Sequence, residues 1–244
     1  MEPPYHPLYG SELRVGRAYE HMLELREELI RYIESHKGIM GLERDEEAGV
    51  LRPVRGDPPP FPPRVSILIG EVAYNLRSAL DYIVYVLAVH STGRDVKRTQ
   101  FPIVDSQETF YGHCTGRHPV TGKRMWRMMR GLKRGHVMVI EAMQPYHPES
   151  EWTRTLRQLS NPDKHRTLTP LQVEGRVHDF RSPSEIVWQP GQEEQEVDLR
   201  YRVEIEPQLT ELDLPLLPTL KLLHDEVALT VDLFKQFFGD PLGV

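Results

Sequence analysis

The sequence predicts an α+β protein, a helical bundle around a long central helix with a small antiparallel β-sheet in its C-terminal half. Three observations carry this. Apolar residues recur at intervals of three and four across three long segments; from Leu171 the period changes to alternation; and residues 216–238 return to the helical period. Because that last segment has to rejoin the bundle, residues 1–244 are expected to form one domain.

The first helix is predicted over residues 11–36. Val15, Ala18 or Tyr19, Met22, Leu25, Leu29 and Ile33 form its apolar stripe, and Glu20, Glu24, Glu27, Glu28 and Arg31 its wet face. Residues 37–62 are a Pro- and Gly-rich connection. Five prolines among residues 58–63 stiffen the approach to the next helix as polyproline II, and 50–54 has the composition of a short edge strand.

The central helix is predicted over 63–90. Ile69, Val72, Leu76, Ala79 or Leu80, Ile83 and Leu87 fall on one stripe, Pro63 suits a first turn, and Gly93 suits a left-handed cap. Polar residues Glu71, Asn75, Arg77, Ser78 and Asp81 sit in the middle of this apolar run. Ionisable groups there are costly to bury alone, so Arg77 and Asp81, one turn apart, are expected to partner each other or a segment docked alongside.

Thr99–Val104 reads as extended, because the residue before Pro102 avoids the helical region. Residues 111–123 read as a surface loop. His113, Cys114 and His118 have metal-ligand types but lack a second spaced pair. Gly116 to Lys123 resembles a phosphate loop, with one residue too many between its glycines and Arg124 where Ser or Thr belongs. Helices are then predicted across 124–161. The first would align Arg124, Arg127, Arg130 and Arg134 as either a solvated face or an anion footprint, with Trp126 placed to stack on a base. The second is stopped by Pro145, and the third ends at Asn161-Pro162.

A β-meander is predicted over 171–206, with strands at 171–178, 184–189 and 197–206 and a tight turn at Pro190-Gly191. The C-terminal helix is predicted over 214–239. Leu220, Leu223, Val227, Val231, Phe234 and Phe238 face inward, and Gly239 caps it.

Composition narrows the class. The net charge is −6, distributed as 10 basic and 14 acidic residues over 1–93, 14 and 7 over 94–170, and 6 and 15 over 171–244. A basic middle facing an acidic tail fits two complementary surfaces better than a nucleic-acid binder, which is more often basic throughout. The single cysteine, Cys114, excludes an internal disulfide framework. With no leader-like start and no long uncharged apolar run, a cytoplasmic chain outside the membrane is expected.

The second polar concentration is Asn161-Pro-Asp-Lys-His-Arg166. His165 beside Asp163 has the types of a general base and its orienting carboxylate, Lys164 is a third catalytic candidate, and Arg166 with Arg77 can hold an anion. The structural reading of the same residues is a buried network of Asn75, Arg77, Asp81, Asn161, Asp163 and His165 that locks a loop onto the central helix.

Taken in order, the motifs Asn75-Leu-Arg-Ser-Ala-Leu-Asp81, Phe101-Pro-Ile103, Gln144-Pro-Tyr146 and Asp163-Lys-His-Arg166 resemble a bacterial family of uncharacterised proteins over residues 66–168. That resemblance implies no activity. A weaker one is to the HEPN domains, helical modules of toxin ribonucleases and nucleotide-binding proteins. Asn161 and His165 match the polar residue and histidine of their motif, but Ser160 stands where its arginine belongs.

The functional expectation is therefore a protein with no assignable activity and a structural polar cluster. The alternative is a HEPN-like nuclease or nucleotide/RNA-binding module using the Asp-Lys-His-Arg set. No metal or cofactor is expected, and the partner expectation is a homodimer formed through the helices.

Overall fold

A computed structural model describes residues 5–35, 40–45, 50–55, 59–160, 171–179, 186–187, 201–209 and 212–238; the strands before residue 209 are described by backbone alone. Among these residues the protein is mainly helical. In order come α1 (Tyr9–Ser35), β1 (Met40–Asp45), β2 (Val50–Arg55), α2 (Pro63–Thr92), α3 (Gln107–Thr115), α4 (Arg134–Ala142) and α5 (Glu151–Ser160). They are followed by β3 (Leu171–Asp179), β4 (Ile186–Val187), β5 (Tyr201–Leu209), β6 (Leu214–Pro215) and α6 (Leu216–Lys235). Two compact units can be distinguished. One gathers residues 1–24, 67–169 and 218–244, and the other 25–66 and 170–217.

In the first unit α2 is the spine. Ile69, Val72, Leu76, Ala79, Leu80, Ile83 and Leu87 are all fully buried, and so are Ala73, Val84 and Ala88, so the helix is covered on more than one side. Its last turn closes as the glycine predicts: Gly93 has φ +67° and donates its N–H to the Val89 carbonyl at 2.8 Å. By length and composition α2 could cross a membrane, but 56% of its apolar window is buried inside the protein, the burial of a core helix.

The other helices of this unit are fastened to the spine and to each other by specific contacts. The Ser11 hydroxyl donates to the Ala79 carbonyl at 3.1 Å, and Arg14 donates to Asn75 Oδ1 at 3.2 Å. Gly10 lies so close to the Tyr82 ring that a Cβ there would stand 3.1 Å from it. Lys235 on α6 pairs with Glu12 on α1, and His136 on α4 sets its ring edge-on to Phe237 at 5.1 Å. On α6, Leu220, Leu223, Val227 and Phe234 are fully buried.

The buried face of α1 is rotated from the one the periodicity selects. Ser11, Ala18, His21, Leu25, Leu29 and Tyr32 are buried, while Val15, Met22 and Ile33 are only half-buried. Polar Ser11 and His21 belong to this face, and a stripe counted on apolar residues alone passes over them.

The second unit holds the strands. β1 pairs antiparallel with β2, from Met40 opposite Arg55 to Asp45 opposite Val50, and Val50 and Leu51 pair onward with Val187 and Ile186 of β4. β3 pairs antiparallel with β5 from Leu171 opposite Leu209 to Asp179 opposite Tyr201, and β6 takes the other edge of β5. The strand near residue 186 therefore joins β2 instead of standing between its sequence neighbours in a meander. Alternation identifies which way a strand faces but not which edge it pairs with. The Pro190-Gly191 turn and the Gly239 cap lie outside the described residues. In the same unit the Tyr32 hydroxyl donates to the Pro59 carbonyl at 2.5 Å, and its ring meets Phe61 at 4.5 Å.

Two local expectations are corrected. Residues 124–133 are not helical: Arg124 bridges antiparallel to Arg117, a turn follows through Gly131 at φ +89°, and only Arg134 enters a helix, as the first residue of α4. The three-residue arginine spacing imitates a helical face, but a left-handed glycine beside Thr92 and Ala88 interrupts it. Conversely, α3 occupies part of the presumed loop. Ser106 caps it by accepting the Thr109 N–H at 3.2 Å, and Gly116 at φ +85° ends it by donating to the Gly112 carbonyl.

Candidate functional site

Phe101-Pro-Ile-Val104 runs along α2 without belonging to any helix or sheet, yet Phe101, Pro102 and Ile103 are buried. Buried main-chain groups outside a ladder need partners from elsewhere. Four side chains supply them. Asp81 Oδ1 accepts the Phe101 N–H at 2.9 Å, and Arg77 Nη2 donates to the Phe101 carbonyl. Gln144 spans the next two residues: its Nε2 donates to the Pro102 carbonyl at 2.9 Å and its Oε1 accepts the Val104 N–H at 3.1 Å. Arg157 Nη1 donates to the Ile103 carbonyl at 3.2 Å.

Each of these side chains is itself held. Gln144 is fully buried and gives its remaining N–H to the Ile140 carbonyl at 2.9 Å, which ties the latch to α4. Arg157 on α5 sets Nη2 against both carboxylate oxygens of Asp105, at 2.9 and 2.8 Å, and Arg154 adds a second cation to Asp105 at 3.4 Å. Arg77 and Asp81 stand 3.4 Å apart, with side-chain exposures of 15% and 30%.

Burial sets the electrostatics of this pair. It lowers the pKa of Arg77, reinforced by the charge of Arg157 and opposed by Asp81. It raises that of Asp81, against the pull of Arg77 and the Phe101 N–H. Both ions are thus paid for by their geometry, since a buried pair repays its desolvation only where the remaining hydrogen-bonding capacity is used. Arg77 Nη1 is the exception: it is buried and has no hydrogen-bond partner among the described residues.

Beside the latch opens a cleft of about 520 Å³, lined by Tyr74, Arg77, Ser78, Met128, Arg157 and Ser160 together with the latched segment. The wall opposite α2 comes from the loop after α3. There Gln100 donates its N–H to the Met128 carbonyl at 3.0 Å, and the Trp126 indole donates to the Arg98 carbonyl at 2.9 Å.

Of the expected polar network, Arg77 and Asp81 lie together on the latch. Asn75 does not join them: it is buried against α1, accepting from Arg14 and donating to the Glu71 carbonyl at 2.8 Å. Asn161, Asp163, Lys164, His165 and Arg166 lie outside the described residues. The arginine face is dispersed, with Arg124 in its bridge and Arg127 donating to the Cys114 carbonyl at 3.2 Å, while Arg130 and Arg134 are exposed.

The metal-type residues are separately engaged. His113 donates to the Trp126 carbonyl at 2.8 Å, His118 Nδ1 accepts from the Val120 and Thr121 amides, and burial pushes the Cys114 thiol up to about 11. Among the described residues no three His, Cys, Asp or Glu side chains converge. The stretch resembling a phosphate loop is a tight reversal, closed where His118 N–H donates to the Lys123 carbonyl and Gly122 N–H to that of His118, both at 2.9 Å.

Gln144, noted in the sequence only as part of a motif, and Arg157 are the two members to which the sequence assigns no site role. A second knot adjoins them: Glu141 Oε1 is approached by Tyr146 Oη at 3.0 Å, His147 Nε2 at 3.2 Å and Gln107 Nε2 at 3.3 Å. Burial pushes the Glu141 carboxyl up, but these hydrogen bonds outweigh it and leave the group below its ordinary value. No protein-family model, curated protein or solved structure matches the chain.

Proposed function

We propose that the chain is a cytoplasmic protein of α+β class with no assignable activity, whose conspicuous polar cluster is structural. The observation that supports this reading is the use made of the motif residues. Arg77 and Asp81 of the first motif and Gln144 of the third spend their hydrogen bonds on the backbone of the second, Phe101–Val104. Side chains committed to holding main chain are poorly placed to move protons for a substrate, because catalytic acid–base groups need a free reach to the reacting atom.

The test is the state of the purified protein. A structural cluster predicts no nucleotide or RNA in an acid extract of the protein and no cleavage of single-stranded RNA. Cleavage that His165→Ala abolishes, with the melting temperature unchanged, would replace this reading with that of a nuclease built on Asp163, Lys164 and His165.

A further inference from the structure

Three histidines meet at one end of the first unit, around the turn Gln236–Phe238 that follows α6. His6 sets its ring edge-on to Phe238 at 5.5 Å, His90 of α2 reaches the same ring at 4.9 Å, and His136 of α4 faces Phe237 at 5.1 Å. Four stretches of chain are thus joined through imidazole rings.

The contacts suit neutral rings. His6 Nδ1 accepts the N–H of Leu8 at 3.1 Å, and Leu8 is fully buried. A protonated imidazole carries hydrogen on both nitrogens and cannot accept, so a proton on His6 ends that bond. His136 is buried, and its Nδ1 has no hydrogen-bond partner among the described residues. Burial, Lys133 of the same corner and His90 of α2 all oppose a charge on it. No carboxylate among the described residues pairs with any of the three rings: on α1 and α6, Glu12 and Asp232 both pair with Lys235. His6 and His90 are exposed, so protons reach them directly from solvent. Charging both brings two cations to one phenyl ring, beside Lys133 and His136.

We propose that His6, His90 and His136 form an acid-operated clasp, which at neutral pH holds Phe237, Phe238 and the turn before α1 against α2 and α4 and in mild acid releases them. Histidine is the side chain whose charge changes in this range.

The experiment incorporates 4-fluorophenylalanine at the seven phenylalanines of the full chain and follows the fluorine spectrum from pH 8 to pH 5 in H2O and in D2O, whose difference reads the exposure of each ring. Single leucine substitutions assign Phe101, Phe110 and Phe238. Phe238, half-buried at neutral pH, should reach the value of a free, exposed ring as pH falls below about 6.5, where an unperturbed histidine charges, while the fully buried Phe101 and Phe110 keep theirs. His6→Asn offers the Leu8 amide an acceptor that takes up no proton, and His136→Phe removes the buried titrating ring; together they should keep Phe238 protected to pH 5. If the double variant does not fold, His6→Asn alone should move the opening to lower pH. Phe238 still protected at pH 5 in the wild type, exposure of all the rings together, or opening of the variants at the wild-type pH would overturn the proposal.

Discussion

Asp81 Oδ1 accepts the Phe101 amide proton at 2.9 Å across 20 residues of sequence, while Arg77, one turn earlier on the same helix, donates to the carbonyl of that same residue. A helix surface thereby reads both backbone groups of one residue, as a neighbouring strand would. The difference is that the readers are charged and buried, so removing either one strands the other.

Arg77→Ala leaves Asp81 without its cation, and Asp81→Ala leaves Arg77 without its anion. Each should destabilise the protein by about 3 kcal/mol, the cost of breaking a buried pair from one side. For a chain of this size that is roughly a 6–12 °C fall in melting temperature. The double variant should lose less than the two singles together, since neither charge is then left alone; a thermal-melt double-mutant cycle reads this directly.

Gln144→Leu keeps the volume but removes an acceptor from Val104 and donors from Pro102 and Ile140. Leaving these groups unpaired should cost roughly 3 kcal/mol, at about 1 kcal/mol or more for each. Urea denaturation should show a lower midpoint at unchanged slope.

His136 is buried against Phe237, and burial, with Lys133 and His90 nearby, lowers its pKa. A base depressed in the folded state binds its proton more readily when unfolded. Its contribution is therefore fully present above the unfolded value of about 6.5 and is lost as pH falls through the folded value. Between pH 8 and pH 5 the wild type should lose more stability than His136→Phe, which has no proton to gain; equal losses in paired melts would count against this.

Gly131 has φ +89°, and a Cβ there would come within 2.9 Å of Thr92 Cγ2. Gly131→Ala should cost about 1–2 kcal/mol through backbone strain and the displaced threonine. Gly135, which has open space around its Cβ position, should accept alanine with little change or a small gain in helix α4. Melts of the two variants side by side provide the comparison.

The physical reasons for these features were unequally visible in the sequence. The buried stripe of α2 follows from spacing, and the need of Arg77 and Asp81 for partners follows from their place within it. The identity of the partner does not, because a main-chain amide carries no residue-type signal and Phe101 looks like any other apolar residue. The role of Gln144, visible only as a motif residue, was hidden for the same reason: one amide side chain at a helix end gives no hint that it bonds three backbone groups. α3 was not legible, because Gly112, His113 and Thr115 weaken its interior propensity and make the stretch look like a loop. The arginines of 124–134 err in the opposite direction, since their spacing is helical while Gly131 takes a conformation that no helix allows.

The central claim is that side chains hold residues 101–104 as firmly as a ladder would, and amide hydrogen exchange at single-residue resolution tests it most directly. The Phe101 and Val104 amides should exchange as slowly as those of Leu76 and Leu80 in α2, although they lie in no helix or sheet. In Asp81→Ala the Phe101 amide should lose that protection while the core of α2 keeps it. Fast exchange of both amides in the wild type, at the rate of an open loop, would contradict the account.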